Sequence, residues 1–364
     1  MHLHLTFAQY IGRQFLFWWF SAFALIAILV SLFDAIELLR ITASTADISL
    51  GLILSMVFFK LPGLMEKAIP FTILFGGMTA FWRLNRHQEF VVARAAGVSA
   101  WEFLLPAVII ALMIGIIQIT LYGPFASTMM LRFEQLQNQH IKGKRSLAAL
   151  SPGGIWFKQS MKTGHYILHG AGISSNTMTL RDTIVFQFDG SNRFFKRVDA
   201  STARLEDGRW IFSKVKITGP QTPVGNISRY ELATDLTQEN IQDSFAKPET
   251  ISIWQLPGFI EVLERAGFSG LRHRIYFYSL LATPLLLCSM TLFAGAFTLR
   301  QQRRGGALVA VALGVCTGFL IYFGSDVVYA LGVSSHLPPL LAAWSPPTIA
   351  LLLGTGLLFH MEDG

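Results

Sequence analysis

The sequence predicts an α-helical membrane protein of six transmembrane helices with an all-β domain, jellyroll-like, inserted between the third and the fourth. Three observations lead there. Of 364 residues, 52% are hydrophobic and only 14% charged, against roughly 25% charged in ordinary soluble domains, and the mean hydropathy is +0.48. The apolar residues gather into runs long enough to cross a bilayer. Between the third and fourth runs, residues 132–271 hold 17 of the 29 Lys and Arg and 13 of the 22 Asp and Glu.

A helix needs about 20 residues to cross a hydrocarbon core of roughly 30 Å. Phe15 to Phe33, Phe103 to Leu131, Ile275 to Leu299, Gly305 to Ser325 and Leu340 to Phe359 contain no Asp, Glu, Lys or Arg, and each is read as a span. The first is read as retained, because no charged n-region and small-residue cleavage site accompany it. The second crossing is irregular. Ile48 to Phe59 and Ile69 to Trp82 are each too short alone, and Lys60, Pro62, Gly63, Glu66, Lys67 and Pro70 separate them. This reads as a broken or bent span, with prolines freeing backbone groups that neighbouring helices must satisfy. Lys60, Glu66 and Lys67 read as an ion network near the membrane interface, since charge at the bilayer centre is expensive.

The inserted segment reads as strands. GIWFKQ, HYILHG, TIVFQF, FKRVDASTARL and RWIFSKVKITG alternate β-branched and aromatic residues with polar ones between Gly, Asp and Asn punctuation. Five or more such strands point to a sandwich, jelly roll or open barrel. A short amphipathic helix, Trp254 to Arg265, leads toward span four. The expected organisation is therefore 1–131 for spans one to three, 132–271 for the β domain and 272–364 for spans four to six.

Basic residues near span ends set orientation. With the N-terminus inside, Arg13, Arg83, Arg86, Arg94, Arg300, Arg303 and Arg304 are cytoplasmic, whereas the opposite short loops hold Arg40 and little else. Both termini are then cytoplasmic and the β domain lies on the far side. Arg132, Arg272 and Arg274 cap spans on that far side and weaken the contrast.

Chemistry-bearing motifs are scarce. The sequence has no GxxxxGK[ST], HExxH, CxxC or GxSxG, so neither a catalytic set nor a bound cofactor is expected. The net charge of +7 comes without a long basic run, which argues against nucleic acid. His165 and His169 stand four apart in a strand, about 13 Å from each other, and are read as strand positions rather than a metal site. Cys288 and Cys316 both fall in apolar runs, so neither is read as a ligand or a nucleophile.

One stretch stands out. RHQEFVVARAAGVSAWEF, residues 86–103, sits between two spans yet mixes charge with apolar residues. It favours a helix over about 86–97, with Gly97 as its stop and Ser99 with Glu102 as a capping box opening span three. Such a helix, joined stiffly to two spans, is suited to receive a push. The alternative is a helix lying on the bilayer surface.

QEFVVARAAGVS resembles the coupling segment of the LptF/LptG lipopolysaccharide export permeases. YIGRQF at 10–15, DAIELLR, LPGLMEKAIPFTILFGGM, FAKPETISIWQLPGFIEVLERAGFSGLRHR at 245–274 and LPPLLAAWSPP are similar to that family too, most of all to its LptG branch. The resemblance covers the chain in order. It implies an inner-membrane subunit with a periplasmic β-jellyroll, paired with a sister LptF-like permease on a cytoplasmic LptB-like ABC ATPase dimer that binds ATP and Mg. An LptC-like bitopic jellyroll protein and an LptA-like soluble bridge would continue the route for lipopolysaccharide. The lack of a P-loop then means that energy comes from another chain. Glu89 would pair with a basic residue of the ATPase, with Phe90, Val91 and Val92 supplying buried contact and Arg94 and Gly97 completing the coupling segment.

The resemblance places a substrate-contacting cation at Arg40, although Asp34 and Ile41 stand where more lysines are expected. Arg132, Arg272 and Arg274 are further candidates for phosphate contact; each is equally suited to meet ordinary lipid headgroups. Ala310, Gly314 and Gly318 form a small-xxx-small face, expected to border span one of the sister subunit as a lipid gate. The inward strand faces, with Phe186 and Ile211 expected among them, would shield acyl chains; the alternative is a plain closed core. Two other functions remain to compare: a permease or mechanotransmitter of another ABC system acting on lipoprotein or peptide, and a membrane enzyme acting on lipid headgroups, for which no nucleophile, acid/base pair or metal cluster is visible.

Overall fold

The structure, a computed structural model, describes residues 5–42, 49–142, 147–151, 154–161, 164–174, 179–191, 193–206, 208–219, 225–234, 246–299 and 306–362. The chain divides into two compact units. One comprises residues 1–134, 252–254 and 275–364, and the other 135–251 with 255–274.

The first unit is helical. It contains α1 (Leu5–Thr42), α2 (Leu50–Arg86), α3 (Glu89–Ala95), α4 (Ala100–Ile117), most of α5 (Gly123–Gln137) and of α7 (Leu271–Thr298), α8 (Gly306–Val333) and α9 (Pro339–Glu362). Among the described residues, five helical segments are long and apolar enough to cross a membrane: Thr6–Thr42, Ala100–Ile141, Leu271–Thr298, Val311–Val333 and Pro339–His360. Each contains or overlaps a run identified in the sequence. The remaining long helix, α2, carries Lys60, Glu66, Lys67, Arg83 and Arg86 and turns Ile53, Met56, Ile69, Ile73, Leu74 and Phe81 into the bundle.

Of the broken or bent span expected there, the break is absent. The helix is continuous from Leu50 to Arg86, with Pro62 and Pro70 inside it. Pro70 has no N–H for the carbonyl four residues back, that of Glu66. A π-helical turn, Gln118–Tyr122, in which the Gly123 N–H bonds to Gln118 O, interrupts the rod of α4 and α5. There the Gln118 Nε2 donates to Glu66 O at 3.2 Å and the Tyr122 hydroxyl to Pro62 O at 3.0 Å. A side chain of the neighbouring helix replaces the missing backbone donor, so the helix continues.

Contacts fix which helix ends meet. Arg83 of α2 lies over the Trp18 ring of α1 at 5.5 Å, and Asn85 Nδ2 donates to Thr298 O at the end of α7 at 2.9 Å. Trp101 of α4 packs on Phe359 of α9, with ring centroids 5.0 Å apart. The first part of α1, the last of α2, the first of α4 and the last of α7 and α9 therefore share one end of the bundle. Toward the other end, Lys60 of α2 pairs with the buried Asp34 of α1 and lies over the Phe133 ring of α5 at 5.3 Å. Lys60 thus bonds across helices to Asp34, a partner the sequence reading of the second span did not include.

The second unit is a seven-stranded antiparallel sheet in chain order, β1 (Leu147–Ser151), β2 (Gly154–Met161), β3 (Gly164–Ser174), β4 (Thr179–Asp189), β5 (Phe194–Glu206), β6 (Arg209–Thr218) and β7 (Gly225–Ala233). All five segments expected as strands fall in β2 to β6. Alternate residues are buried, as in Val198 and Ala200 of β5 and Trp210 and Phe212 of β6. The sheet curls on itself: Phe157 of β2 meets Trp210 of β6 at 6.3 Å, and the Thr234 hydroxyl beyond β7 donates to Gln159 Oε1 of β2 at 2.6 Å. Neither pair is made of neighbouring strands, so the inner face closes over a common core. The helix α6 (Leu256–Arg265) adds Leu263, and Ala266 and Phe268 follow it into the same core.

Register corrects two inward positions. Val185 and Gln187 are buried and Phe186 is not; Trp210 and Phe212 are buried and Ile211 is not. Phe186 lies on the outer face with Arg197 over its ring at 5.7 Å. His165 stacks on Phe188 at 4.7 Å and His169 meets Trp156 at 4.3 Å, each with its own aromatic neighbour. At the β4–β5 turn, Asp189 Oδ1 accepts the Ser191 and Arg193 N–H groups at 2.9 Å each. The Arg193 backbone N–H chiefly, with help from Ser191 and the Arg193 charge, holds that carboxyl below its ordinary value.

Candidate coupling and lipid sites

The segment joining α2 to α4 is a short helix held at both ends. Because α2 runs on to Arg86, the helix is Glu89–Ala95, not 86–97, which makes it about 10 Å long at 1.5 Å per residue. Gln88 turns the chain with φ 61°. After Ala96, Gly97 adopts φ +87°, a left-handed conformation that a Cβ would strain. The Gly97 N–H bonds to Arg94 O and the Val98 N–H to Ala93 O, both at 3.0 Å, which is a Schellman closure. Ser99 Oγ then accepts from the Glu102 N–H at 3.1 Å while Glu102 Oε2 accepts from the Ser99 N–H at 3.3 Å. This is the capping box the sequence predicts.

The side chains of α3 divide between two faces, and the division corrects one expectation. Phe90 is 4% exposed and makes an edge contact with Phe103 of α4 at 5.0 Å; Phe7 of α1 approaches the same ring at 5.9 Å. Phe90 therefore anchors α3 to the bundle and offers nothing to a partner, because helical spacing turns it and Ala93 inward together. Val91 and Val92 are exposed, Val92 at 65%, and Arg94 and Gly97 are exposed with them. Glu89 is half-buried, and its Oε1 accepts from the Tyr10 hydroxyl at 3.1 Å. Tyr10 lies within YIGRQF, and the sequence gives no sign of its link to Glu89. It precedes the uncharged run, and only the extension of α1 back to Leu5 brings it beside α3.

The candidate lipid contacts are less unified. Arg40 is exposed and already pairs with Glu37 at 2.8 Å. Arg132 is exposed on α5, in the helical unit with Arg40. Arg272 is exposed and Arg274 pairs with Glu264, both in the strand-bearing unit. Gly314 and Gly318 are buried against α2 of the same chain: a Cβ on Gly314 would stand 2.4 Å from Met78 Sδ, and one on Gly318 would stand 3.2 Å from Leu74 Cδ2. Their close approach is spent inside the chain, which corrects the expectation of a gate with another subunit there. Ala310 lies on the same helix, with its side chain outside the described residues.

Comparison with known proteins bears on this arrangement. The family model described as lipopolysaccharide export system permease LptF/LptG matches residues 9–360. The lipopolysaccharide export system permease protein LptG of Haemophilus influenzae is 23% identical, over 98% of this chain and 99% of its own length. The LptG proteins of two Escherichia coli strains are 22% identical over 83% of this chain and 83% of theirs. The match runs through the long helices, the inserted sheet and α3 alike, and the chain belongs to the LptF/LptG family of lipopolysaccharide export permeases.

Proposed function

We propose that this chain is the motorless permease subunit of an ATP-driven extractor that lifts lipopolysaccharide from the inner membrane. The observation that supports it most is α3: a helix closed at its C-terminal end, with an acidic residue at its start and Val91 and Val92 on its exposed face, in a chain whose sequence has no GxxxxGK[ST] motif. A cytoplasmic ABC ATPase dimer, carrying ATP and Mg, would seat Val91, Val92 and Arg94 in a groove. Glu89 would meet a basic residue there. A charged hydrogen bond in a partly desolvated groove contributes about 1.5 to 3 kcal/mol, whereas an exposed pair contributes under about 1.

On this reading, the end of the bundle carrying α3, Arg83 and Arg86 is cytoplasmic, in keeping with the excess of basic residues there. Both termini lie inside and the curled sheet is periplasmic. The apolar outward faces of α1 and α8, with Phe17, Phe20, Leu25, Phe319 and Phe323 exposed, would meet lipid and a sister LptF-like permease. The sheet would continue the route toward an LptC-like membrane-anchored jellyroll and an LptA-like bridge, and Arg40, Arg132, Arg272 and Arg274 would meet phosphates.

The test is copurification of the assembled subunits, with the bound lipid identified by mass spectrometry before and after ATP. Bound lipopolysaccharide that leaves on ATP addition is expected. Bound lipoprotein or peptide, or ATP hydrolysis by this chain alone, would contradict the assignment.

A further inference from the structure

Two contacts tie α3 to the first helix. The ring of Phe103 lies between Phe7 of α1 and Phe90 of α3, with centroid distances of 5.9 and 5.0 Å. Beside it, the Tyr10 hydroxyl donates to Glu89 Oε1 at 3.1 Å, a bond between residues 79 apart in the chain. Tyr10 is itself half-buried, and Ile11, the next residue, is fully buried in the bundle core, so the phenol is presented from a fixed helix. Gln88, which precedes α3, makes no capping bond with its side chain, and the Tyr10 bond ties the start of α3 to the bundle.

A carboxylate in the first turn of a seven-residue helix has several rotamers open to it, and a fixed donor on one oxygen selects among them. The bond through Oε1 leaves Oε2 to meet a second donor. It also bonds α3 directly to α1, beyond the covalently joined α2 and α4.

We infer that Tyr10 is a positioning residue for coupling: it orients the Glu89 carboxylate toward a cationic partner and joins α3 to α1, so that a push on α3 is delivered to the first helix. This rests on the coupling role proposed for α3. Tyr10 touches neither nucleotide nor lipid and acts through Glu89.

The experiment uses the full complex of this chain, the sister permease and the ATPase in liposomes containing lipopolysaccharide. The readout is lipid released per ATP hydrolysed, for wild type, Tyr10→Phe, Glu89→Ala and the double variant. Loss of one ordinary intramolecular hydrogen bond predicts a yield about threefold to tenfold lower for Tyr10→Phe. The ATPase should still copurify, and the thermal midpoint should be that of wild type. The double variant should be no worse than Glu89→Ala, because the phenol acts only through that carboxylate. Full yield from Tyr10→Phe alongside a loss at Glu89→Ala overturns the inference and leaves the coupling reading standing. A loss at Tyr10→Phe that persists undiminished in the Glu89→Ala background, or that tracks a fall in the thermal midpoint, marks a structural role and also overturns it. Full yield from Glu89→Ala overturns the coupling reading and the inference together.

Discussion

Replacing Phe90 by Ala and, separately, Val92 by Asp perturbs two apolar residues two positions apart on α3 and opposite in surroundings. Phe90 is 4% exposed and Val92 65%. Truncating a buried phenylalanine removes its packing and leaves a cavity, worth about 3 to 5 kcal/mol in a tight core, with about 1 kcal/mol of that from an edge-to-face pair. Phe90 sits at the end of the bundle and is covered mainly by Phe103, so about 3 kcal/mol is expected. Val92→Asp alters a solvent-facing position and should change stability by no more than about 0.5 kcal/mol, while setting a charge in the face proposed to meet the ATPase. The assay pairs thermal unfolding in detergent with coelution of the ATPase. Phe90→Ala should lower the midpoint; Val92→Asp should keep the midpoint and weaken coelution. An unchanged midpoint for Phe90→Ala with loss of coelution would refute the division of α3 into an anchored and a free face.

Further outcomes follow from the same geometry. Gln118→Leu removes the amide that donates to Glu66 O and should cost about 1 to 3 kcal/mol; Pro70→Ala in that background should recover much of it by restoring a backbone N–H, which melting of the single and double variants checks. Asp34→Ala leaves Lys60 unpaired at a mostly buried site and should destabilise by about 3 kcal/mol, whereas Asp34→Leu with Lys60→Met should be far milder; the same melting series reads it. A Cβ on Gly76 would meet the Trp19 Cα at 2.5 Å, while one on Gly314 would meet the flexible end of Met78. Gly76→Ala should therefore lose more folded protein than Gly314→Ala, measured as monodisperse yield. Asp189, with its carboxyl held below the ordinary value, stabilises the β4–β5 turn above the ordinary carboxylate range and loses that as pH falls through its lowered value. The midpoint difference between wild type and Asp189→Ala should therefore shrink toward acid pH.

What the sequence discloses and what it hides follow physical lines. Uncharged runs located five crossing helices because a bilayer selects on length and polarity alone. Period-two alternation located β2 to β6, and the capping box and Gly97 were legible because local backbone chemistry decides them. Three features were not. Continuity of α2 through Pro70 depends on the Gln118 amide, 48 positions along the chain, and no local rule sees it. The inward set of the sheet was read one residue out of phase at Phe186 and Ile211, because aromatic residues line both faces and hydrophobicity alone leaves register ambiguous. Tyr10 beside Glu89 and Asp34 beside Lys60 are tertiary pairings between helices that the sequence shows only as separate residues.

The central claim is that another protein's nucleotide cycle enters this chain through α3. Its most direct measurement is ATP-dependent release of lipopolysaccharide from liposomes by the assembled complex carrying Glu89→Lys, with assembly confirmed by copurification. The account predicts an intact complex whose release falls at least tenfold below wild type, the order expected when a charged contact of more than about 1.4 kcal/mol is reversed. Release at the wild-type rate from that complex would contradict it.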